Sequence, residues 1–564
     1  MFWDVDRDKP AVLLSRPLVG ELQVNQSRCE SVRQVTPWCG VMFIAWLAAT
    51  VGCGGRTTSS DTAAPSLPEP QVAPAESSLT NEPSDAVAPL PRLNFSQDEK
   101  PAAKAKKETT GDSSRTVSPI PDRQEAVVAA SNDGFEPQRR LGPLTLVDVD
   151  EERLAAAGLQ VQRSKHLVLI HEPAVSKNVA EFGKVFDQAV DQWVDYFQAD
   201  AQRFSDWQVT CFYVVDSSKF QQAGLMPPAT ALPRGQLPAG GWEYGNQIWL
   251  HQHPGDYYSR HQLLHEGTHA FCYFNFGNLG PPWLAEGLAE YLSVHRWENG
   301  QLEMAARVSE KEQLAYWGRV KLLQDAWHRG QTKTLTDVQN FLPADFPATE
   351  SYAWSWAAVS MMSEAEPLRN AFRESLQQLN ELNGMQWNDR LQESLQWDRQ
   401  QLETQWEVNI SEMVYGYDFR RAAIQWASDD VKEIAGDGVT FSIPADGAWH
   451  QTAFRLTAGE WQFQADGDYQ ILEEAGQAVF SGPDGISLDY ANGARLGAVE
   501  IAINLPQGFL KSSSPLTRPI PTGRRMLLKP GESGRLFVRV SDSPAALNDN
   551  QGDVEIQVRP QTTE

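Results

Sequence analysis

Cysteine is scarce in this sequence, which has five in 564 residues. No two of them have the CxxC spacing of cysteine-rich zinc sites. Cys29 and Cys39 precede the candidate export site at Cys53, so the folded part retains only Cys211 and Cys272. Cys211 stands in an apolar, strand-like run. We therefore predict buried free thiols rather than a disulfide framework.

Basic residues are also under-represented, because 48 Lys and Arg stand against 73 Asp and Glu. The formal net charge is −25 and the sequence pI is about 4.9. No basic face is available to neutralise phosphates, so the composition argues against nucleic-acid binding. A solvated acidic surface is the simpler interpretation of this charge. The length allows roughly two or three domains with separate cores.

Long apolar runs are missing as well. Residues 41–52 form an apolar run that ends at Cys53, but a comfortable membrane span needs about 20 residues. Arg28 and Arg33 lie upstream, and this order of basic, apolar and small residues is typical of an export signal. Gly52-Cys53 resembles the end of a bacterial lipobox, which implies a lipidated Cys53 at the mature N-terminus. A plain signal peptide and an uncleaved anchor remain the alternatives.

The sequence divides into four segments. Residues 1–53 hold the export signal, and residues 54–140 are rich in Pro, Ala, Ser, Thr, Glu and Asp. The second segment cannot bury enough apolar surface to offset the entropy of ordering, so we predict a disordered tether. Two folded domains are expected, over residues 141–432 and 436–562, with a polar boundary near 430–436.

The first folded domain is predicted to be α+β, with a small α/β part followed by a mainly helical part. Apolar runs at 166–170, 207–215 and 247–251 predict three buried strands. Residues 177–199 have the periodicity of an amphipathic helix. From about 258 to 426 the pattern is mainly helical.

Residues 265–269 read His-Glu-Gly-Thr-His, which is the HExxH pattern. On a helix, positions i and i+4 share one face, so the imidazoles of His265 and His269 can reach one ion. Zinc suits two neutral imidazoles plus a carboxylate and leaves a fourth position for water. Glu266 then stands beside that water, where it can accept a proton and pass it to a leaving amine. The pentapeptide alone is only moderately specific.

A second motif at residues 283–291 reads Trp-Leu-Ala-Glu-Gly-Leu-Ala-Glu-Tyr. HExxH followed by WLxEGxAxY resembles the gluzincins, particularly the peptidase MA-like group that includes the aminopeptidase N type. This resemblance implies a zincin-like catalytic domain in which Glu286 is the third zinc ligand. The implied activity is zinc-dependent peptide hydrolysis by a metal-activated water.

Two further side chains are candidates for supporting roles. Glu290 lies one helical turn beyond Glu286, where it could accept a hydrogen bond from a ligand histidine; the thermolysin branch has an acidic residue at this spacing. Residues around Tyr352 resemble the helix that carries the transition-state tyrosine in aminopeptidase N relatives, which implies oxyanion stabilisation. A solvated Glu290 and a core aromatic Tyr352 are the alternatives. His261, one turn before His265, could line the cleft, but a surface or packing role is the simpler interpretation.

The exopeptidase motif GxMEN of the aminopeptidases is absent before the zinc helix. The sequence at 240–250 reads GGWEYGNQIWL and lacks that pattern. Recognition of a free substrate amine is therefore not supported. We expect an endopeptidase or a narrow processing enzyme that acts on a peptide or protein substrate.

The C-terminal segment has short strand-like runs separated by turn residues, which predicts an all-β sandwich. It resembles the PA-IL-like bacterial galactose-binding lectins along most of its length, including the turn Gly482-Pro483-Asp484-Gly485 and the loop that ends at Asp549-Asn550-Gln551-Gly552. The lectins' sugar-contacting His loop has no evident counterpart after Gly485. Glycan binding therefore stays open beside a stabilising or substrate-docking role.

The resemblance to these lectins also implies a calcium site. The corresponding positions are Asp542, the carbonyl of Ala546, Asp549 and Asn550. Oxygen ligands with two carboxylates suit Ca²⁺. A polar turn without a metal is the alternative, because Asp and Asn also favour tight turns.

Together these patterns predict an exported, membrane-tethered zinc peptidase with a lectin-like β-sandwich. The alternative is a non-catalytic surface binding protein that combines a degenerate peptidase-like body with a carbohydrate-binding sandwich. A structural surface protein with neither activity is the third hypothesis. Stoichiometric zinc with chelator-sensitive hydrolysis would distinguish the first from the second.

Overall fold

The computed structural model describes residues 146–561, apart from residues 174, 176, 228–239, 347, 429, 492 and 505–512. All described residues belong to one compact unit, Arg115–Glu564. The predicted export signal, its Cys53 and the predicted linker lie outside the described residues. The architecture is mixed α/β, with several sheets and helices. Within the described segment, no helix is long and apolar enough to cross a lipid bilayer.

A five-stranded sheet forms the first part of the described chain, in the spatial order β1-β2-β3-β5-β4. The three central strands are parallel, and both edge strands are antiparallel to their neighbours. The apolar runs predict the central strands, which are confirmed, whereas the short and largely half-exposed edge strands escape prediction. The strands are β1 (Gln160–Arg163), β2 (Leu167–His171), β3 (Val209–Val214), β4 (Gly241–Tyr244) and β5 (Gln247–His251).

Helices cover both faces of this sheet. One face packs on α2 (Phe182–Tyr196), which is shorter than the predicted helix because its first turn is a 3-10 helix. The other face packs on α1 (Glu151–Ala156) and α3 (Ser217–Gln222). Because both faces are covered, nearly every side chain of β3 is buried. Cys211 on this strand and Cys272 are buried free thiols, as predicted.

The helical part follows the sheet and contains one β-hairpin, which the predicted helical pattern missed. Its first two helices, α4 (Asp256–Phe276) and α5 (Pro282–Ser293), pack against each other. The helix α4 ends at Phe276, and the next residue, Gly277, has a φ of 68° and forms the left-handed cap. The remaining elements are β6 (His295–Glu298), β7 (Gln301–Met304), α6 (Arg319–His328), α7 (Leu335–Gln339), α8 (Thr349–Glu364), α9 (Glu366–Leu376), α10 (Gly384–Ser394) and α11 (Arg399–Ser411).

Two glycines within the sequence motifs allow close helix packing. A Cβ on Gly267 would come within 2.7 Å of the Phe186 and Trp193 rings of α2. A Cβ on Gly287 would come within 2.6 Å of the Ser355 carbonyl oxygen in α8. Both glycines therefore let neighbouring helices approach α4 and α5, which carry the motif side chains.

The C-terminal β-region consists mainly of two sheets whose inward side chains share one apolar core. One sheet has the order β14-β15-β18-β10-β8, with β16 paired to β15, and the other has the order β17-β11-β19-β9. The strand-like runs VTFSI, WQFQA, RLFVRV and VEIQV lie on observed strands. The strands are β8 (Lys432–Glu433), β9 (Val439–Pro444), β10 (His450–Leu456), β11 (Trp461–Asp466), β12 (Tyr469–Glu474), β13 (Gln477–Ser481), β14 (Asp484–Ala491), β15 (Ala494–Asn504), β16 (Ile520–Pro521), β17 (Arg525–Leu528), β18 (Gly534–Val540) and β19 (Asp553–Pro560).

A buried interface, here called the junction, joins the helical part to the β-region. Arg539 of β18 donates hydrogen bonds to Glu412 beyond α11 at 2.6 Å and to Glu500 of β15 at 2.8 Å. Its guanidinium also lies 4.5 Å from the ring centre of Trp449. Leu547 of the β-region lies in the apolar core of the helical part. Pairing with the β-region begins at Gln425, which bridges to His450, and continues at β8, which pairs with β10.

Candidate metal centre

The helices α4 and α5 bring three predicted ligand atoms together. Glu286 Oε2 lies 3.2 Å from His265 Nε2 and 3.4 Å from His269 Nε2, and the two nitrogens are 3.3 Å apart. Three corners of a tetrahedron at these separations have a centre about 2.0 Å from each atom, which matches zinc–nitrogen and zinc–oxygen bond lengths. His265, His269 and Glu286 therefore fit a single tetrahedral ion.

The environment of Glu286 points to the same chemistry. Its Oε2 atom is buried and has no hydrogen-bond partner among the described residues, although buried polar atoms are normally paired. Burial alone would raise the pKa of this carboxyl, but the imidazoles of His269 and His265 lower it to about 2. Burial would likewise lower the pKa of His269, but the Glu286 carboxylate raises it. An anionic oxygen thus faces two imidazoles in a site suited to a cation.

Glu266 lies on α4 between the two histidines and is itself buried. Its carboxylate lies against the edge strand β4, where a Cβ on Gly241 would come within 2.7 Å of Glu266 Oε1. Burial raises the pKa of Glu266 to about 8, and His269 partly offsets this increase. A bound dication would favour the ionised form. Because Gly241 has no Cβ, the Glu266 carboxylate can occupy the space beside β4.

Glu290 lies one turn beyond Glu286 on α5 and is buried rather than solvated. Its Oε1 atom is 3.5 Å from His265 Nδ1, on the side of the imidazole away from Glu286. Arg319 of α6 donates two hydrogen bonds to this carboxylate, at 2.8 and 3.0 Å, and Trp317 donates a third at 3.1 Å. Burial would raise the pKa of Glu290, but Arg319 holds it well below its ordinary value.

His261 is packed inside the protein and does not lie on the surface. Its Nδ1 atom is 3.1 Å from the Ser293 carbonyl, and its ring stacks on Tyr258 with ring centres 5.4 Å apart. Burial lowers the pKa of His261. Of the surface role and the packing role, only the packing role agrees with the buried position of His261.

Tyr352 lies in the first turn of α8 and faces the cluster. Its ring centre is 6.1 Å from that of His265 and 5.2 Å from that of Phe346. The guanidinium carbon of Arg319 lies 5.7 Å from the same ring. Burial raises the pKa of Tyr352, so its hydroxyl stays protonated and can donate a hydrogen bond.

Three residues near this centre escape prediction. Trp317 and Arg319 follow Glu290 in the sequence, after the β6–β7 hairpin and a short 3-10 helix. Their local sequence pattern does not distinguish them from ordinary loop and helix residues. Glu243 lies on β4, and its Oε1 atom is buried without a hydrogen-bond partner. Burial raises the pKa of Glu243 to about 7, which the charge of His269 partly offsets. The segment GGWEY gives no sign of this, because β4 lacks a strand-like apolar pattern.

A second group of unpartnered polar atoms lies in the β-region, in the loop between β18 and β19. Asp542 Oδ2, Asp549 Oδ1 and both terminal side-chain atoms of Asn550 are buried without hydrogen-bond partners. Burial, together with the charge of Asp549, raises the pKa of Asp542 to about 6. The predicted carbonyl ligand, Ala546, lies in a turn whose amide donates to the Ser543 carbonyl at 2.8 Å.

Comparison with known proteins adds little to this geometry. No protein-family profile and no curated protein matches the chain. A solved structure described as "EclA N-terminal domain; PllA-like lectin" matches 22% of this chain and 95% of its own, with 18% sequence identity. Its TM-score is 0.16, which is too low for the likeness to carry an argument.

Proposed function

We propose that this protein hydrolyses peptide bonds with a single zinc ion held by His265, His269 and Glu286. The observation that carries the proposal is the mutual separation of 3.2–3.4 Å among their three donor atoms. Two imidazoles and one carboxylate are the donor set of catalytic zinc in proteins that keep a fourth position open. This arrangement, with the sheet before it, supports the proposal of a gluzincin-type domain, which the two motifs resemble.

The protein side chains then divide the catalytic work. When bound, the zinc ion supplies a Lewis acid that polarises the peptide carbonyl and makes a water molecule acidic near neutral pH. Glu266 accepts the proton of the attacking water and delivers it to the leaving amine. Tyr352 donates a hydrogen bond to the developing oxyanion. Glu290 orients His265 through the imidazole nitrogen that faces away from the ion.

The edge strand β4 supports a peptide or protein substrate. One side of β4 pairs with β5, and within the described residues no strand pairs with its other side. Free backbone N–H and C=O groups on such an edge can pair with an extended peptide. Because Gly241 of this strand lies against Glu266, a peptide bound there would pass close to the proposed general base.

Metal analysis of the purified chain and of Glu286→Ala, combined with hydrolysis of an internally quenched peptide library, tests the proposal. We expect one zinc per wild-type chain, loss of zinc in the variant, and hydrolysis that a chelator abolishes and added zinc restores. Unchanged zinc occupancy in Glu286→Ala would refute the ligand assignment. Stoichiometric zinc without hydrolysis would favour the alternative of a non-catalytic binding protein.

The β-region is proposed to hold a calcium ion in the loop between β18 and β19. The supporting observation is the group of unpartnered oxygens of Asp542, Asp549 and Asn550, because hard oxygen donors suit Ca²⁺. Calorimetric titration of chelator-treated protein with Ca²⁺ tests this site, and absence of binding would leave a polar turn. A glycan array run with and without Ca²⁺ tests whether the region also binds sugar.

Export and membrane tethering are proposed on the sequence alone. The apolar run 41–52 and the pair Gly52-Cys53 support lipidation of Cys53. Cells expressing the full chain or Cys53→Ser can be labelled with palmitate and fractionated. We expect label in the membrane fraction for the wild type and none for the variant. Equal labelling of both chains would rule out Cys53 as the lipidated residue.

A further inference from the structure

We propose that Arg319 is a positioning residue of the metal centre, which fixes the carboxylate behind His265 and borders Tyr352. The inference rests on the proposed zinc site and adds a residue that neither sequence motif contains. This role explains why Arg319 is buried beside Glu290, which in turn lies beside the candidate ligand His265.

Arg319 forms a buried bidentate ion pair with Glu290. Its Nη2 atom lies 2.8 Å from Glu290 Oε1 and its Nε atom lies 3.0 Å from Glu290 Oε2. Both side chains are almost completely buried, at 7% and 2% exposure. A planar guanidinium that binds both oxygens of a carboxylate fixes its orientation as well as its charge. Arg319 therefore determines where Glu290 Oε1 points.

That orientation matters because Glu290 Oε1 lies 3.5 Å from His265 Nδ1. A metal-ligating imidazole presents one nitrogen to the ion and keeps a hydrogen on the other, where a carboxylate holds the ring in place. His265 Nε2 faces Glu286, so its Nδ1 is the nitrogen that needs such a partner. By fixing Glu290, Arg319 acts on the ligand without touching the ion.

Arg319 also borders the second proposed catalytic group. Its guanidinium carbon lies 5.7 Å from the ring centre of Tyr352, which is within the range of a cation–π contact. Tyr352 in turn lies beside His265. One side chain thus contacts both the support of a ligand and the ring of the proposed oxyanion donor.

The ion pair between Arg319 and Glu290 also affects a second group of side chains that could hold a cation. His261, His265 and Glu290 also place ligand atoms within 4.8 Å of one another. Both oxygens of Glu290 already accept hydrogen bonds from Arg319, whose positive charge takes the place that an ion would need. The centre therefore takes one ion, between His265, His269 and Glu286.

The zinc dissociation constant of Arg319→Lys, measured by competition with a chromophoric chelator, tests the inference. Lysine keeps the charge but cannot bind both oxygens. Arg539→Lys is the matched control, because Arg539 is also buried and bound to two carboxylates but lies at the junction. We expect about 10–100-fold weaker zinc binding in Arg319→Lys, the usual effect of losing such outer support, and an unchanged zinc dissociation constant in Arg539→Lys. In peptide hydrolysis, kcat should fall in Arg319→Lys while KM changes by less than about twofold.

Cobalt substitution gives an independent reading. The visible absorption of Co²⁺ in the wild type and in Arg539→Lys should be the same, whereas Arg319→Lys should shift it, because a displaced His265 changes the coordination geometry. Wild-type zinc affinity together with a wild-type cobalt spectrum in Arg319→Lys would overturn the inference. Equal weakening of zinc binding in both lysine variants would also overturn it, since the effect would then be general destabilisation.

If Arg319→Lys does not fold, the double variant Arg319→Gln/Glu290→Gln decides, because it removes both charges and leaves no unpaired ion buried. Because Glu290→Gln alone already removes the carboxylate behind His265, the zinc dissociation constant of the double variant is compared with that of Glu290→Gln. Equal constants, both weaker than in the wild type, support the inference that Arg319 acts through Glu290. Wild-type affinity in the double variant, or a further weakening beyond Glu290→Gln, overturns it. Failure of the proposed function looks different: a wild type that binds one zinc but cleaves no peptide refutes hydrolysis and still leaves the affinity comparison decisive. A wild type without zinc binding overturns both.

Discussion

The helical part and the β-region each contain a cluster of buried polar side chains that could hold an ion, and the two clusters differ in chemistry and in support. The first combines imidazole nitrogens with a carboxylate, and two adjacent helices hold its atoms 3.2–3.4 Å apart. The second consists of carboxylate and amide groups on a single loop between two strands. The comparison teaches that donor type, rather than the number of donors, is the basis for proposing different ions, which are zinc for the first group and calcium for the second.

The largest expected effect separates catalysis from metal binding in the first group. In Glu266→Gln we expect kcat to fall by about 10²–10⁴-fold, because the general base is lost. Zinc and calcium contents should stay as in the wild type, since Glu266 is not among the ligands. Kinetics with a quenched peptide and elemental analysis check this. Loss of zinc together with activity would mean that the carboxylate belongs to the ligand set instead.

The next effect tests whether the two groups are independent. In Asp542→Ala we expect calcium affinity to fall on the order of 100-fold, because a charged ligand is removed. Zinc content and peptide hydrolysis should not change. Titration calorimetry with Ca²⁺ measures the affinity, and Ser543→Ala serves as a neighbouring control in the same loop. Zinc loss in Asp542→Ala would show that the two groups are coupled.

A smaller effect concerns the pH dependence of stability in calcium-free protein. The folded pKa of Asp542 is about 6 and exceeds the ordinary value of 3.8, because burial disfavours the charged form. A carboxyl with a raised folded pKa stabilises the fold while protonated, so this stability is lost as pH rises from about 4 to 6. The loss is about 2 kcal/mol by proton linkage. Denaturant unfolding of chelated wild type and Asp542→Asn checks it, and equal slopes against pH in both would contradict it.

The smallest effect concerns the strand beside the first group. In Gly241→Ala we expect roughly a tenfold fall in kcat, because the new Cβ would push the Glu266 carboxylate from its position. Zinc content should not change. Gly240→Ala is the matched control, since a Cβ there would meet only the Gln262 side chain, at 3.7 Å. Equal kcat values for the two variants would show that Glu266 does not depend on this space.

Sequence reasoning reaches the elements and groups that depend on short spacing. His265 and His269 share a helix, and only residues 270–285 separate them from Glu286, so local periodicity and a short loop bring the three together. The apolar central strands of the first sheet and the regular strands of the β-region are accessible for the same reason, because burial leaves a pattern along the chain.

What sequence reasoning misses depends on tertiary contacts. Arg319 meets Glu290 only because the tertiary fold brings the first residue of α6, a helix that packs on α8, to α5, and an arginine on a helix is normally solvated. Glu243 stands on an edge strand of four half-exposed residues, too short for a recognisable alternation. The hairpin of β6 and β7 is equally short. These features depend on residues that are distant in the sequence or on strands that are very short, so no local sequence pattern predicts them.

The junction has a consequence for how the molecule unfolds. Arg539 shares its charge between Glu412 of the helical part and Glu500 of the β-region. Separating the two parts would expose to water the apolar residues that the junction buries from both sides, so each part would lose the stabilisation that this burial provides. Since a whole domain is stable by only about 5–15 kcal/mol, neither part should survive loss of the other. The helical part and the β-region should therefore melt together, in one calorimetric transition.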